Sequence, residues 1–361
     1  MRTFKQKLWV FGFLAIGALA LVISAVVFLH DAAPPQGIPN PPPKVASAGS
    51  GTATVPLVET PIGTASIAQI DARRDGTPAL FHLDVDPSIL VLDFPDLHPQ
   101  AEMLNRIAAL IEKADMPRDH VVTEAELDAH IQAAGGSPDS YYYGHDYRAA
   151  DLARFFGIAG HEKMPLNPYE TWLRDRLARE GWFKDEAIGA LISIPGVSGD
   201  IDPSSRTTIF RHELSHAVYF TDPAYVTLTQ HFWNDVLTEK ERDAMRAFLR
   251  ADGYDSADED LMANEAQAYL IHTRDPRYFM PAMVGIDPAR EAMIRANFIN
   301  AIPEPWLRQS ALSVAPLVPA AVLLPDAPNA VNAALSSAPA RPLPHEPPAD
   351  AARPTRSPDH Q

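Results

Sequence analysis

The arrangement of apolar and polar residues along the chain predicts three kinds of element. Leu8–Leu29 is a run of 22 residues without a charged side chain, long enough to cross a bilayer as a helix. Short apolar runs at Leu80–Val85, Ile89–Phe94 and Leu191–Pro195 predict strands. Most of the remaining sequence between residues 62 and 308 has helical spacing. The chain is therefore predicted to fold as an α+β domain, mostly helical with a small sheet, preceded by one transmembrane helix.

Two helix starts are marked by a reciprocal capping pattern. Thr123 and Thr238 each precede a glutamate by three residues, Glu126 and Glu241. In this arrangement the two side chains satisfy amide groups that have no partner in the first turn of a helix. We therefore predict that helices begin directly after Thr123 and Thr238.

The charges that flank the N-terminal apolar run predict its orientation. Arg2, Lys5 and Lys7 precede it, and no lysine or arginine follows until Lys44. This bias predicts a cytoplasmic N-terminus and a single-pass membrane protein whose remaining chain is extracytoplasmic, either periplasmic or extracellular. A cleaved signal sequence is the alternative, although its apolar run is usually only about 7–15 residues long.

Proline marks the boundaries of the folded part. The chain has 35 prolines, many of them in two Pro- and Ala-rich stretches that lack the apolar residues needed for a core. We predict an anchor or signal sequence at residues 1–30, a Pro-rich linker at 31–61, one folded domain at 62–308 and a disordered tail at 309–361.

Charge and composition exclude several functions. The formal net charge of −16 disfavours binding to nucleic acid, because phosphate backbones would be repelled. With no cysteine, the chain can form neither disulfides nor a thiolate nucleophile. A metal site would have to use histidine and carboxylate ligands. The oligomeric state cannot be deduced from the sequence.

The segment His212-Glu213-Leu214-Ser215-His216 carries the clearest chemistry. Two histidines four residues apart in a helix lie on one face, where both can bind one zinc ion. Zinc acidifies a bound water molecule, and Glu213 beside the first histidine is placed to accept its proton as a general base. The pattern predicts a Zn2+ site for hydrolysis, with His212 and His216 as ligands.

A catalytic zinc site needs a third protein ligand, and two carboxylates are candidates. Glu265 lies in a later apolar helix, whereas Asp222 follows His216 by six residues. Ligation by Asp222 would require a sharp turn after the helix, for which a glycine is usual where this chain has Tyr219. Glu265 is therefore preferred, and Asp222 is otherwise expected to cap the helix that begins at Pro223.

With Asn264-Glu265 in a later helix, the paired histidines resemble the gluzincin metallopeptidases, the group that includes thermolysin-like enzymes. The resemblance covers about 80 residues, from Ala190 to Tyr269. It implies a zincin-like fold, with the two-histidine helix at the floor of a cleft and an upstream edge strand, here Leu191–Ile194, that pairs with the substrate.

Two features depart from the thermolysin-like pattern. Tyr269 stands where those enzymes commonly have an aspartate that supports a zinc-bound histidine. The 48 residues between His216 and Glu265 also exceed the thermolysin-like spacing. Two additional helices, at about Pro223–Leu237 and Thr238–Ala251, account for the excess.

Tyrosines are the candidates for stabilising the oxyanion that forms during hydrolysis. Tyr269, four residues after Glu265, is the first choice and Tyr254 the second. The cluster Tyr141-Tyr142-Tyr143-Gly144-His145 is a candidate cleft wall. By contrast, His161 with Glu162, and His231, are interpreted as surface or core residues.

These observations predict a membrane-anchored, extracytoplasmic zinc metallopeptidase that hydrolyses a peptide or protein substrate. The predicted ligands are His212, His216 and Glu265, with Glu213 and Tyr269 as catalytic residues. The alternative is a membrane-tethered binding or scaffold protein with a structural or vestigial zinc site, closed by a fourth protein ligand.

Overall fold

A five-stranded mixed sheet forms the centre of the structure, a computed structural model that describes residues 62–199 and 201–313. The spatial order of the strands is β1-β2-β3-β5-β4. Pairs β1–β2 and β3–β5 are parallel, whereas β2–β3 and β4–β5 are antiparallel. The strands are Gly63–Ala65 (β1), Ala79–Leu83 (β2), Asp86–Asp93 (β3), His145–Arg148 (β4) and Ala190–Ile194 (β5). The three predicted strands are confirmed as β2, β3 and β5, while β1 and β4 were not predicted.

Eleven α-helices surround the sheet within the described residues. They are Ile67–Ala72 (α1), Leu97–Ile111 (α2), Glu124–Ala133 (α3), Ala149–Glu162 (α4), Pro168–Arg179 (α5), Pro203–Thr221 (α6), Pro223–His231 (α7), Glu239–Ala251 (α8), Glu259–Gln267 (α9), Pro288–Ala301 (α10) and Pro305–Leu312 (α11). The predicted capping boxes at Thr123 and Thr238 are confirmed at the starts of α3 and α8. The two additional helices are α7 and α8, and α7 continues into a π-helical turn at Phe232–Val236.

Both faces of the sheet are covered by helices, as the alternation in β3 shows. Ile89 and Val91 pack into a core with residues of α6, whereas Leu90 and Leu92 pack into a second core with residues of α2 and α4. All four side chains are fully buried. A strand covered on both sides has a continuous apolar run, which explains why β3 was recognisable from its sequence.

Helix α6 lies against the sheet and begins and ends at identifiable signals. Asp202 caps its N-terminus by accepting a hydrogen bond from the Ser205 amide at 2.8 Å, and Pro203 occupies its first turn. The helix ends at Thr221 because Asp222 precedes Pro223, which disfavours a helical conformation at Asp222. Helix α6 carries the predicted two-histidine motif, and its packing against β5 holds the motif in the middle of the domain.

The predicted membrane-spanning element requires a correction. Its residues, 8–29, lie outside the described residues, as do the linker and most of the tail. Within residues 62–199 and 201–313 no helix has both the length and the apolar character needed to cross a bilayer. The longest, α6, carries Arg206 and Glu213, side chains that are costly in a bilayer. The predicted fold class with a membrane helix, and the membrane location inferred from it, are therefore wrong on this finding, and the fold described is mixed α+β. The chain divides into units 1–53 and 54–361, and all described residues belong to the second.

Candidate metal centre

Three predicted ligands converge at the junction of α6 and α9. The Nε2 atoms of His212 and His216 lie 3.0 Å apart. Glu265 Oε2 lies 3.8 Å from each of these two nitrogens. Ligands around a tetrahedral zinc ion, at bond lengths of about 2.0–2.2 Å, are separated by roughly 3.3–3.5 Å. The three atoms therefore have the spacing of one coordination sphere.

Helix geometry and capping place these side chains. His212 and His216 are one turn apart on α6, so their rings point to the same side. Helix α9 is fixed at its start by Asp258, which accepts hydrogen bonds from the amides of Asp260 and Leu261. Its apolar residues pack into the same core as α6, which brings Glu265, only 2% exposed, towards the two rings.

Thr273 determines which nitrogen of His212 is available to an ion. The hydroxyl of Thr273 donates a hydrogen bond to the Ala268 carbonyl at 3.1 Å and lies 2.8 Å from His212 Nδ1. Because the hydroxyl proton is used in this way, the Thr273 oxygen accepts a hydrogen bond from Nδ1–H of His212, and Nε2 keeps its lone pair. The π-helical turn Ala268–His272 after α9 positions Thr273. In thermolysin-like enzymes an aspartate commonly supports a zinc-bound histidine, and Tyr269 stands at that position here. In this protein Thr273 supports His212 instead.

Glu213 lies beside the ligands and directly under the start of β4. Its Oε2 atom is buried without a hydrogen-bond partner, and the same is true of Glu265 Oε2. A methyl group on Gly144 would come within 2.2 Å of Glu213 Oε1, so only glycine allows this close approach. Buried carboxylate oxygens without donors are costly unless something else compensates them. A divalent cation at this point would do so.

The electrostatics of the site favour neutral histidines and disfavour uncompensated carboxylates. Burial, reinforced by His216 and His272, holds the pKa of His212 well below its usual value, and burial lowers the pKa of His216 to about 4. Burial raises the pKa of Glu213 and Glu265 well above the usual range, and neighbouring carboxylates, first among them Asp146, add to both shifts. Neutral imidazoles are the form that binds metal, and a bound cation would offset the repulsion between the carboxylates.

The centre opens into a cavity of about 680 Å³ through His212 and Glu213, which both line it. The wall contains six tyrosines: Tyr141, Tyr142, Tyr143, Tyr254, Tyr269 and Tyr278. Of the cluster predicted to form a cleft wall, Tyr141–Gly144 line the cavity, whereas His145 is buried in β4 and does not. Lys113 joins two sides of the cavity, since its Nζ donates to the Asp252 carbonyl at 3.0 Å and lies 4.3 Å from the Tyr142 ring centre.

Tyr269 contacts the centre through its ring. The ring packs edge to face against His212, with centroids 4.9 Å apart. Its hydroxyl donates a 3.4 Å hydrogen bond to Asp252. Tyr254, the second candidate, also lines the cavity. Tyr269 is thus the tyrosine in ring contact with a predicted ligand, and its role as an oxyanion donor stays a prediction.

Other predicted residues lie away from the three ligands. Asp222 caps α7 by accepting a hydrogen bond from the Ala224 amide at 2.8 Å, and it belongs to neither group of potential metal ligands in the described residues. His231 is exposed and pairs with Asp235, and His161 is exposed at the end of α4. Glu162 accepts a hydrogen bond from the Val121 amide.

Asp146 is part of the centre but was not predicted. Its Oδ2 atom lies 3.9 Å from His216 Nε2, and Asp146, Glu213 and His216 form a second group with ligand-like spacing. Desolvation, together with Asp151, raises the pKa of Asp146 to about 7. The only sequence signal is the alternation in the four-residue strand β4, which is too short to be distinguished from a loop by pattern alone.

The predicted substrate-pairing strand is also incorrect. The run Leu191–Ile194 belongs to β5, which lies between β3 and β4 and is paired on both sides. All five residues of β5 are buried, as is typical of a central strand covered on both faces. The edge strand nearest the centre is β4.

Comparison with known proteins leaves the family open. No family model matches this chain, and no curated protein or solved structure matches it. The case for a function therefore depends on the geometry and chemistry of the centre.

Proposed function

We propose that this protein is a zinc-dependent peptidase that uses His212, His216 and Glu265 as metal ligands. The observation that carries the proposal is the meeting of these three donor atoms at the floor of a tyrosine-lined cavity, with separations of 3.0 and 3.8 Å. The resemblance of the motif to that of gluzincins also supports a zinc-dependent peptidase.

The residues fit the proposed ion in both number and chemistry. Two imidazoles and one carboxylate are a common protein ligand set of catalytic zinc. The Oε2 atom of Glu265 is buried and has no hydrogen-bond partner among the described residues, so it is available to bind a metal ion. When bound, zinc supplies Lewis acidity, which polarises a carbonyl group and lowers the pKa of water.

Glu213 is assigned the proton transfer. Its carboxylate lines the cavity next to His212, and burial raises its affinity for a proton. A carboxylate in these surroundings can accept a proton from water and deliver it to the leaving amine of a peptide. The tyrosines in the wall provide surfaces for substrate side chains, and the ring of Tyr269 packs against His212.

The test compares two substitutions with different expected losses. Glu213→Gln should keep about one zinc per chain but lose hydrolysis, because the amide cannot act as the base. His216→Ala should lose both zinc and hydrolysis. Metal content is measured on the purified full chain, and hydrolysis is profiled with a peptide library and a chelated sample as control.

Asp222→Asn serves as the matched control. Asparagine caps helices as well as aspartate does, so α7 should be retained, and zinc binding and hydrolysis should be unchanged. Full activity of Glu213→Gln would refute the mechanism. The absence of stoichiometric zinc from the wild-type protein would refute the metal centre itself.

A further inference from the structure

The second carboxylate that faces His216 extends the ligand set. We propose that Asp146 is a fourth protein ligand of the same ion, giving two histidines and two carboxylates. This inference rests on the proposed metal centre but assigns a role to a strand residue outside the segment His212–His216.

The first argument is distance. Asp146 Oδ2 lies 3.9 Å from His216 Nε2, the nitrogen that also faces His212 and Glu265. The corresponding distance from Glu265 Oε2 is 3.8 Å. Asp146 therefore approaches this nitrogen as closely as the predicted third ligand does.

The second argument is strand register, which fixes the direction of the Asp146 side chain. Asp146 pairs directly with Ile192 across the antiparallel β4–β5 ladder, and directly paired residues lie on the same face of a sheet. Ile192 packs into the core that contains Phe210 and Leu214 of α6. The neighbouring Tyr147 pairs with Leu191 and packs into the core on the other face. Asp146 thus faces α6 through the geometry of the sheet.

The third argument is that the surrounding polar atoms lack other partners. Glu213 and Glu265 are 5% and 2% exposed, and each has an Oε2 atom without a hydrogen bond. Among the described residues, the Asp146 carboxylate accepts no hydrogen bond; its side chain is 15% exposed and lies 3.9 Å from His216 Nε2. Asp146 and Glu213 belong to one group with ligand-like spacing and Glu265 to the other, with His216 in both, and a cation beside His216 would compensate these carboxylates.

Four protein ligands do not close the site to substrate. His212 and Glu213 line the cavity, so the centre is accessible from it on the side of these two residues. Catalytic zinc can expand to five ligands. The proposed set therefore keeps a coordination position for a substrate oxygen.

The experiment measures metal affinity and ligand field in the full chain. Zinc affinity is obtained by competition with a chromophoric chelator, and the cobalt-substituted protein is examined by visible absorption. Asp146→Asn and Asp146→Ala should each lower zinc affinity at least about tenfold, the lower end of losses seen for groups that only support a ligand, and both should change the cobalt spectrum.

Glu112→Gln is the electrostatic control. Glu112 acts on the same carboxylates through its charge but belongs to neither potential ligand group. This variant should leave the cobalt spectrum unchanged and alter zinc affinity less than Asp146→Asn.

An unchanged cobalt spectrum in both Asp146 variants would overturn the inference, as would a loss of affinity no larger than that of Glu112→Gln. In either case the wild type would still bind zinc, and the proposed function would stand. Failure of the wild-type protein to bind zinc would instead refute the proposed function.

Discussion

The two halves of helix α6 bury polar side chains in opposite ways. Near its start, Arg206 is fully buried and donates hydrogen bonds to Asp93 and to the carbonyls of Ile70 and Pro195 at 2.6–2.8 Å. Two turns later, Glu213 is almost as buried, yet its Oε2 atom has no hydrogen-bond partner. The same helix therefore holds one charged group with hydrogen-bond partners and one carboxyl group with an oxygen that lacks them.

This contrast separates a structural polar cluster from a candidate site. A compensated buried ion pair joins elements, here α6, α1 and β3, and needs nothing further. Uncompensated carboxylates and histidines persist only where something outside the chain compensates them or where function requires them. The comparison predicts that substitutions near Arg206 affect stability, whereas those near Glu213 affect metal binding and catalysis.

The largest effect is expected at the compensated end. Arg206→Met should lower the free energy of unfolding by about 3–5 kcal/mol, because it leaves Asp93 buried with only the partly exposed Arg73 as its partner. Urea unfolding of the metal-free protein measures the change. Glu213→Gln should leave metal-free stability unchanged or raise it, and equal losses in both variants would remove the distinction.

Zinc binding to the half of α6 that carries His212 and His216 should stabilise the folded protein. At a hundred times its Kd, zinc should raise the free energy of unfolding of the wild type by about 2.7 kcal/mol, because only the folded chain presents all the ligands together. Thermal unfolding with and without zinc measures this difference. The His216→Ala variant should show no such increase, and a similar zinc effect in both proteins would contradict the ligand assignment.

The third prediction concerns the close contact above Glu213. Gly144→Ala should slow hydrolysis about 100-fold, the scale expected for a misplacement of about 1 Å, because the added methyl displaces the carboxylate. Zinc content should be retained. In the matched variant Gly157→Ala the methyl meets no heavy atom within 4 Å, so activity should be unchanged. Wild-type activity in Gly144→Ala would show that the position of Glu213 is not critical.

The smallest effect is expected from the support of His212. Thr273→Val keeps the shape of the side chain but removes the acceptor for His212 Nδ1, and zinc affinity should fall about 10- to 100-fold. Chelator competition measures the affinity. Thr227→Val removes an exposed hydroxyl that donates a hydrogen bond to the Pro223 carbonyl, and the zinc affinity of this variant should be unchanged. Equal affinities in the two variants would assign Thr273 a packing role only.

Local pattern was sufficient for much of the candidate centre. The spacing of His212 and His216 specifies one face of a helix, and the reciprocal caps at Thr123 and Thr238 were confirmed because they involve only neighbouring residues. Glu265 was recognisable as a carboxylate whose nearest neighbours in the sequence are mostly small or apolar. Long, fully covered strands such as β3 were likewise readable.

Long-range pairing was not recoverable from the sequence. The register of β4 on β5 directs Asp146 towards His216. In that register His145 pairs with Ser193, which lies 48 positions further along the chain. The same pairing makes β4, and not β5, the edge strand. The support of His212 by Thr273 depends on a π-helical turn that no local pattern predicted.

The sequence by itself determined which residues can ligate an ion and which helices carry them, since side-chain chemistry and helical periodicity are local properties. Only the tertiary structure decided which carboxylates meet those histidines and which buried charges are compensated. Burial, strand register and the approach of Gly144 to Glu213 are properties of segments that are distant in the chain and adjacent in the fold.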